Sequence, residues 1–118
     1  MTPRRVGATF WDVAADLVAR HAVRVDRPRG SRHPRFPEVV YPLDYGYLEA
    51  TSGGDGEGID IWVGTRPGAG LIGAFVTADP HKADMEVKLV WDAGPDDVAT
   101  LERFYAPQPQ GALYVPRP

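Results

Sequence analysis

The 118-residue chain contains no cysteine. That excludes disulfides, thiolate metal sites and cysteine nucleophiles, and it fits a reducing cytoplasm. Long apolar runs are also missing. None approaches the length needed to span a bilayer, and the first residues lead into an amphipathic segment, not a signal-peptide core. The expectation is a soluble cytoplasmic protein with no membrane partner. Repeats, low-complexity tracts and credible linkers are absent too, so 1–118 reads as one domain with one modest core.

A P-loop is excluded, because Gly-Lys-Ser/Thr occurs nowhere in the chain. Nucleic acid is not the expected partner either. The arginine-rich stretch Arg29-Gly30-Ser31-Arg32-His33-Pro34-Arg35 has little aromatic interleaving, and net charge is −3. The charge is uneven. Residues 1–37 hold eight arginines and three aspartates, a net +5; residues 38–118 hold five basic and thirteen acidic residues, a net −8. An arginine-rich segment facing an acidic body suits a ligand that is itself a metal–anion complex. It equally describes an arm lying on its own acidic surface.

The pattern predicts a mainly β, α+β fold. Thr9 reads as the N-cap of a helix running to about Arg20, with Phe10, Val13, Ala14, Leu17 and Val18 on its apolar face. Strands are expected at 22–26, 39–41, 45–48, 59–63, 71–77 and 85–91, where Val, Ile, Phe and Trp concentrate. Pro95 opens a second helix with Asp96 and Asp97 in its first turn and Val98, Leu101, Phe104 and Tyr105 on its apolar face. The proline-rich tail after Ala106 reads as an irregular strand or strap. Five or six short strands and two flanking helices imply a small, partly open OB-like barrel.

The richest chemistry lies in Asp55-Gly56-Glu57-Gly58-Ile59-Asp60-Ile61. Carboxylates brought that close repel one another unless a cation sits between them, and Mg²⁺ takes oxygen ligands. The spacing fails as an EF-hand, and the segment also reads simply as a polar turn. A second acidic group, Asp79, Asp84 and Glu86, is followed by Lys88. Glu86 and Lys88 are two apart on a predicted strand and share a face. Folded together, the two groups would surround one cavity with carboxylates and a lysine. Such a set can hold metal, activate water and clamp phosphoryl oxygens. Tyr45, in a tyrosine-rich stretch, is either packing or a hydrogen-bond donor to phosphate.

Tyr41-Pro42-Leu43-Asp44-Tyr45-Gly46-Tyr47, followed by Asp55-Gly56-Glu57-Gly58-Ile59-Asp60-Ile61, resembles the soluble family I inorganic pyrophosphatases. Those carry Tyr-Pro-x-x-Tyr-Gly-Phe/Tyr and then Asp-x-Asp-Pro-x-Asp. Val25 to Arg32 resembles the family's Ile-Glu-Ile-Pro-x-Gly-Ser-Arg, and Gly73 to Asp79 with Glu86 to Val90 resembles its next block. The four blocks span about residues 23–91 in the family's order. The resemblance implies a compact barrel that hydrolyses pyrophosphate with several Mg²⁺ ions.

By that resemblance Asp55, Glu57, Asp60, Asp79 and Glu86 are metal ligands, with Asp84 a competitor of Asp79. Glu57 also deprotonates the attacking water. Lys88, Tyr45 and Arg32 or Arg35 hold phosphate, and Asp26 supports the ligands. The chain departs from the pattern at Glu57 and Glu86, which replace aspartates, and at Gly58, which replaces the motif's proline. Each added methylene moves a carboxylate by about 1 Å, enough to matter for rate. Two alternatives follow: a pyrophosphatase-like protein that binds phosphate ligands or cleaves another phosphorylated substrate, and a non-catalytic barrel binding module. Members of the family commonly form homo-oligomers, and the altered loops of this chain leave its own oligomeric state open.

Overall fold

Alternating apolar and polar side chains put strands where the sequence predicts them, with small shifts of boundary. A computed structural model describes residues 6–54 and 56–118, so Asp55 lies outside the described residues. The elements run α1 (Val6–Arg20), β1 (Val23–Arg27), β2 (Asp44–Leu48), β3 (Asp60–Val63), β4 (Leu71–Asp79), β5 (Asp84–Trp91), α2 (Pro95–Tyr105) and β6 (Gly111–Pro116). The class is α+β and mainly β, with six strands and two helices.

The strand order is β1-β2-β3-β5-β4-β6. β3 and β5 pair in parallel and every other ladder is antiparallel. Among the described residues no ladder joins β1 to β6. Hydrogen bonding therefore leaves an open sheet and does not close the expected barrel.

The central strands are buried on both faces. Ile61, Ala74 and Leu89 pack with Trp11, Ala14 and Val18 of α1, while Trp62, Phe75 and Val90 pack with Val98, Leu101 and Tyr105 of α2. Neighbouring residues on a strand point to opposite faces, so the two helices cover opposite sides of the sheet. A register shift between Leu71 and Gly73 places Leu71 on the α1 side with Ala74, and leaves Ile72 to pack on the α2 side.

Several local expectations change. Helix α1 already includes Val6, so Thr9 lies inside it and is not its N-cap. Ala14 and Val18 are buried as expected, with Leu17 packed beside them and Trp11 added, while Phe10 and Val13 are half exposed. The 39–41 strand is reduced to a single bridge between Arg32 and Val40, since Pro42 interrupts further pairing. The tail is regular: β6 pairs with β4 from Gly111 to Pro116. Among the described residues no helix is long and apolar enough to cross a membrane.

Candidate functional site

Strand register assembles the polar cluster. Asp60 lies between Tyr47 of β2 and Lys88 of β5, while Tyr45 lies opposite Trp62. Residues opposite one another share a face, so Tyr45, Tyr47, Asp60 and Lys88 all point to the α2 side. Glu86, two residues before Lys88, joins them.

Lys88 is the hub. Its Nζ donates to the Tyr45 hydroxyl at 2.7 Å, to Glu86 Oε2 at 2.7 Å and to Asp60 Oδ2 at 3.2 Å. An ammonium has three protons, and three acceptors surround it. Lys88 is buried. Burial alone would lower its pKa, but the Asp60 charge, with Tyr105 and Glu86, outweighs that and raises it. Burial likewise would raise the Glu86 carboxyl, and the Lys88 ammonium holds it below the usual range. Tyr45 is pushed up, first by burial and then by the charges of Asp60 and Glu86, so its hydroxyl stays protonated. That hydroxyl hydrogen-bonds Asp60 in turn.

Beside this cluster lies a cavity of about 330 Å³, lined by Asp26, Tyr45, Gly46, Tyr47, Glu57, Gly58 and Asp60. Four residues predicted from three separate sequence blocks, namely Asp26, Tyr45, Glu57 and Asp60, thus meet at one cavity. Tyr47 was not predicted as a lining residue. Its spacing of two from Tyr45 on a strand was the available signal. Gly58 also has a local reason: a Cβ there would lie 2.7 Å from the Tyr47 ring. The glycine leaves room for the tyrosine that walls the cavity.

Other predicted residues are placed elsewhere. Asp79 Oδ1 accepts the N–H groups of His81 and Lys82 at 2.9 and 3.2 Å and so closes the β4–β5 turn. Those N–H groups, Lys82 first, hold its pKa down. Asp79 and Asp84 line a different cavity, of about 430 Å³, with Met85 and Pro109. It is Asp84, the competitor, that lies beside Glu86: its carboxyl is raised by desolvation and then by the Glu86 charge. Arg32 Nη1 donates to the Pro37 carbonyl at 2.8 Å, closing its own loop. Neither Arg32 nor Arg35 lines the 330 Å³ cavity.

Among the described residues no three carboxylate or imidazole groups converge on a single point. Mg²⁺ does not require such a cage. It is usually held by one or two carboxylates, with waters and substrate phosphates supplying the other oxygens. Asp26, Glu57 and Asp60 give the cavity hard oxygen donors and an acidic wall, and that donor chemistry fits the ion.

In comparisons with known proteins, the chain matches no family model and no curated protein.

Proposed function

We propose that the protein hydrolyses a phosphoanhydride, with inorganic pyrophosphate as the first candidate, using Mg²⁺ at the cavity walled by Asp26, Glu57 and Asp60. One observation carries this reading: Asp26, Glu57, Asp60 and Tyr45, four of the residues selected by the pyrophosphatase resemblance, line the same cavity. A cavity with three carboxylates repels a bare anion, so the substrate enters as a complex with a cation.

Mg²⁺ supplies a Lewis acid that neutralises phosphoryl charge and makes water more acidic. Glu57 accepts the proton of the attacking water. Asp60 and Glu57 would hold the ion, and Asp26 adds negative charge at the wall. Tyr45, kept protonated, presents a hydroxyl at the cavity. Lys88 already has three acceptors around its ammonium. Its first role in this reading is to position Asp60, Glu86 and Tyr45, with direct phosphate contact requiring that it release one of them. The cysteine-free chain is compatible with a reducing compartment such as the cytoplasm.

A second reading is a pyrophosphatase-like protein that binds phosphate or acts on another phosphorylated molecule. Arg32, engaged with its own loop, favours it by leaving the cavity with fewer phosphate ligands.

Phosphate release from pyrophosphate, with and without Mg²⁺, decides between them. The wild type should release phosphate only with Mg²⁺, and Asp60→Asn and Glu57→Gln should each lose about 10²-fold or more. No release above Asp60→Asn at high enzyme concentration removes the hydrolase reading, and calorimetric binding of phosphate would then support the second.

A further inference from the structure

The two edges of the sheet are built differently. At one edge, β1 carries Arg24, Asp26 and Arg27, and a bulge interrupts its ladder between Val25 and Arg27. Charged side chains and bulges keep an edge strand from pairing with another chain. At the other edge, β6 has neither. Its ladder with β4 keeps register from Gly111 to Pro116, and residues 106–116 contain no charged side chain. Among the described residues no strand pairs with its outer side.

The backbone groups on that outer side follow from the ladder. The Arg117 N–H donates to the Ile72 carbonyl at 2.8 Å. Residues of an antiparallel strand alternate between bonding a given neighbour and facing away from it, so Val115 and Leu113 also bond β4. Ala112 and Tyr114 then turn their N–H and C=O groups outward. Pro116, which has no N–H, falls on the outward side as well, where β4 loses nothing by it. Leu113 is 66% exposed. It lies opposite Val76, on the face where Ala74 and Leu89 pack against α1.

Charge is divided between the two ends of β6. At its C-terminal end Arg117 pairs with Asp12 at 3.6 Å. At its N-terminal end Pro109 and Gly111 line the 430 Å³ cavity together with Asp79 and Asp84. A strand that is basic at one end and flanked by acids at the other is complementary to its own copy in the antiparallel orientation.

We propose that β6 pairs antiparallel with β6 of a second copy of this chain, across a two-fold axis at Leu113, to form one continuous sheet. Ala112 exchanges both of its outward hydrogen bonds with Tyr114 of the copy, and Tyr114 does so with the copy's Ala112. The two Leu113 side chains meet at the axis, in the kind of pair where side chains come closest, and leave water. The same register carries Arg117 of each copy toward Pro109 of the other, beside the Asp79 and Asp84 carboxylates. One surface supplies both halves of every contact, as a two-fold interface requires. No residue of β6 lines the 330 Å³ cavity, so the pairing does not depend on the hydrolase reading.

The test is sedimentation velocity and light scattering of the full chain over a range of concentrations. The wild type should have twice the mass of one chain. Leu113→Lys should be monomeric, because it sets like charges opposite one another at the axis. Ala112→Pro removes one outward N–H from each copy and none that β4 uses, and it should raise the dissociation constant about tenfold or more. Both positions are exposed, so circular dichroism and the urea midpoint of the monomer should stay near wild type; should one variant unfold, the other decides. Val87→Lys, on the same face but two strands in from the edge, should remain a dimer. A wild type that is monomeric at high concentration overturns the pairing and leaves the edge to a different extended chain. A dimer that survives Leu113→Lys and Ala112→Pro overturns it too. If Val87→Lys gives the monomer and Ala112→Pro does not, the copies stack through their faces and the edge assignment is wrong.

Discussion

The Lys88 ammonium meets the Tyr45 hydroxyl at 2.7 Å, although β3 separates their strands in the sheet. The contact is diagonal, because Tyr45 is level with Trp62 while Lys88 is level with Asp60. A long side chain can span that gap, and the Lys88 Nζ also lies 5.2 Å from the centre of the Tyr45 ring. The same ammonium separates Asp60 from Glu86, whose side chains are 22% and 14% exposed. With so little water present, the cation is what lets two carboxylates share the site.

Lys88→Met should therefore destabilise the fold at neutral pH, by about 3 kcal/mol, because removing one member of a buried ionic cluster leaves the others uncompensated. Urea unfolding checks this. The loss should shrink at acid pH, where the freed carboxylates take up protons. A deficit that stays constant as pH falls would show that lost packing, not charge, is responsible.

Asp97 links α2 to the end of β3. Its carboxylate accepts the Thr65 N–H at 3.0 Å, the Thr65 hydroxyl at 3.0 Å and the Gly94 N–H at 3.1 Å. Burial alone would raise its pKa, but these donors, Thr65 first, hold it below the usual carboxylate range. Because the folded pKa is depressed, the unfolded chain takes up the proton more readily. The stabilisation is thus present above the ordinary carboxylate pKa and is lost as pH falls through it toward the folded value. Asp97→Asn should cost about 1–2 kcal/mol at pH 7 and flatten part of the acid-side decline in urea midpoint. An unchanged acid-side decline would rule out this contribution.

Gly46→Ala should separate β1 from β2. A Cβ at Gly46 would lie 1.8 Å from the Arg24 carbonyl oxygen and 2.8 Å from Val25 Cα, both backbone atoms that cannot move alone. The expected loss is about 3 kcal/mol, read as a lower urea midpoint. Asp26 should leave the cavity with its strand, so phosphate-ligand binding should weaken as well. Wild-type stability in this variant would mean that the two strands are not held at this distance.

The second helix and the central strands were legible because their signals are local. Pro95 with two acids after it marks a helix start, and alternating Val, Ile, Phe and Trp mark strands. The edge of the α1 face, where Phe10 and Val13 stay exposed and Trp11 is buried, depends on where the sheet lies beneath it, and that is not a local property. The residues of the candidate site were also legible as types. Asp26, Tyr45, Glu57 and Asp60 stand out as groups with oxygen chemistry in ordered blocks.

The chain's own order of residues determines which groups are available and which strand faces they occupy, since side-chain alternation follows from backbone geometry. Which of those groups meet is decided by ladders between distant segments. Lys88 reaches Asp60 from 28 residues away, and Tyr45 from 43. A shift of one residue in either ladder would turn these side chains to the opposite face. Asp79 and Asp84 face each other across the β4–β5 hairpin, but Asp79 accepts the N–H groups of its own turn while Asp84 lies two residues from Glu86 on β5. The bulge that sets Arg27 against Tyr45 belongs to the same class of fact, because it is defined only by the partner strand.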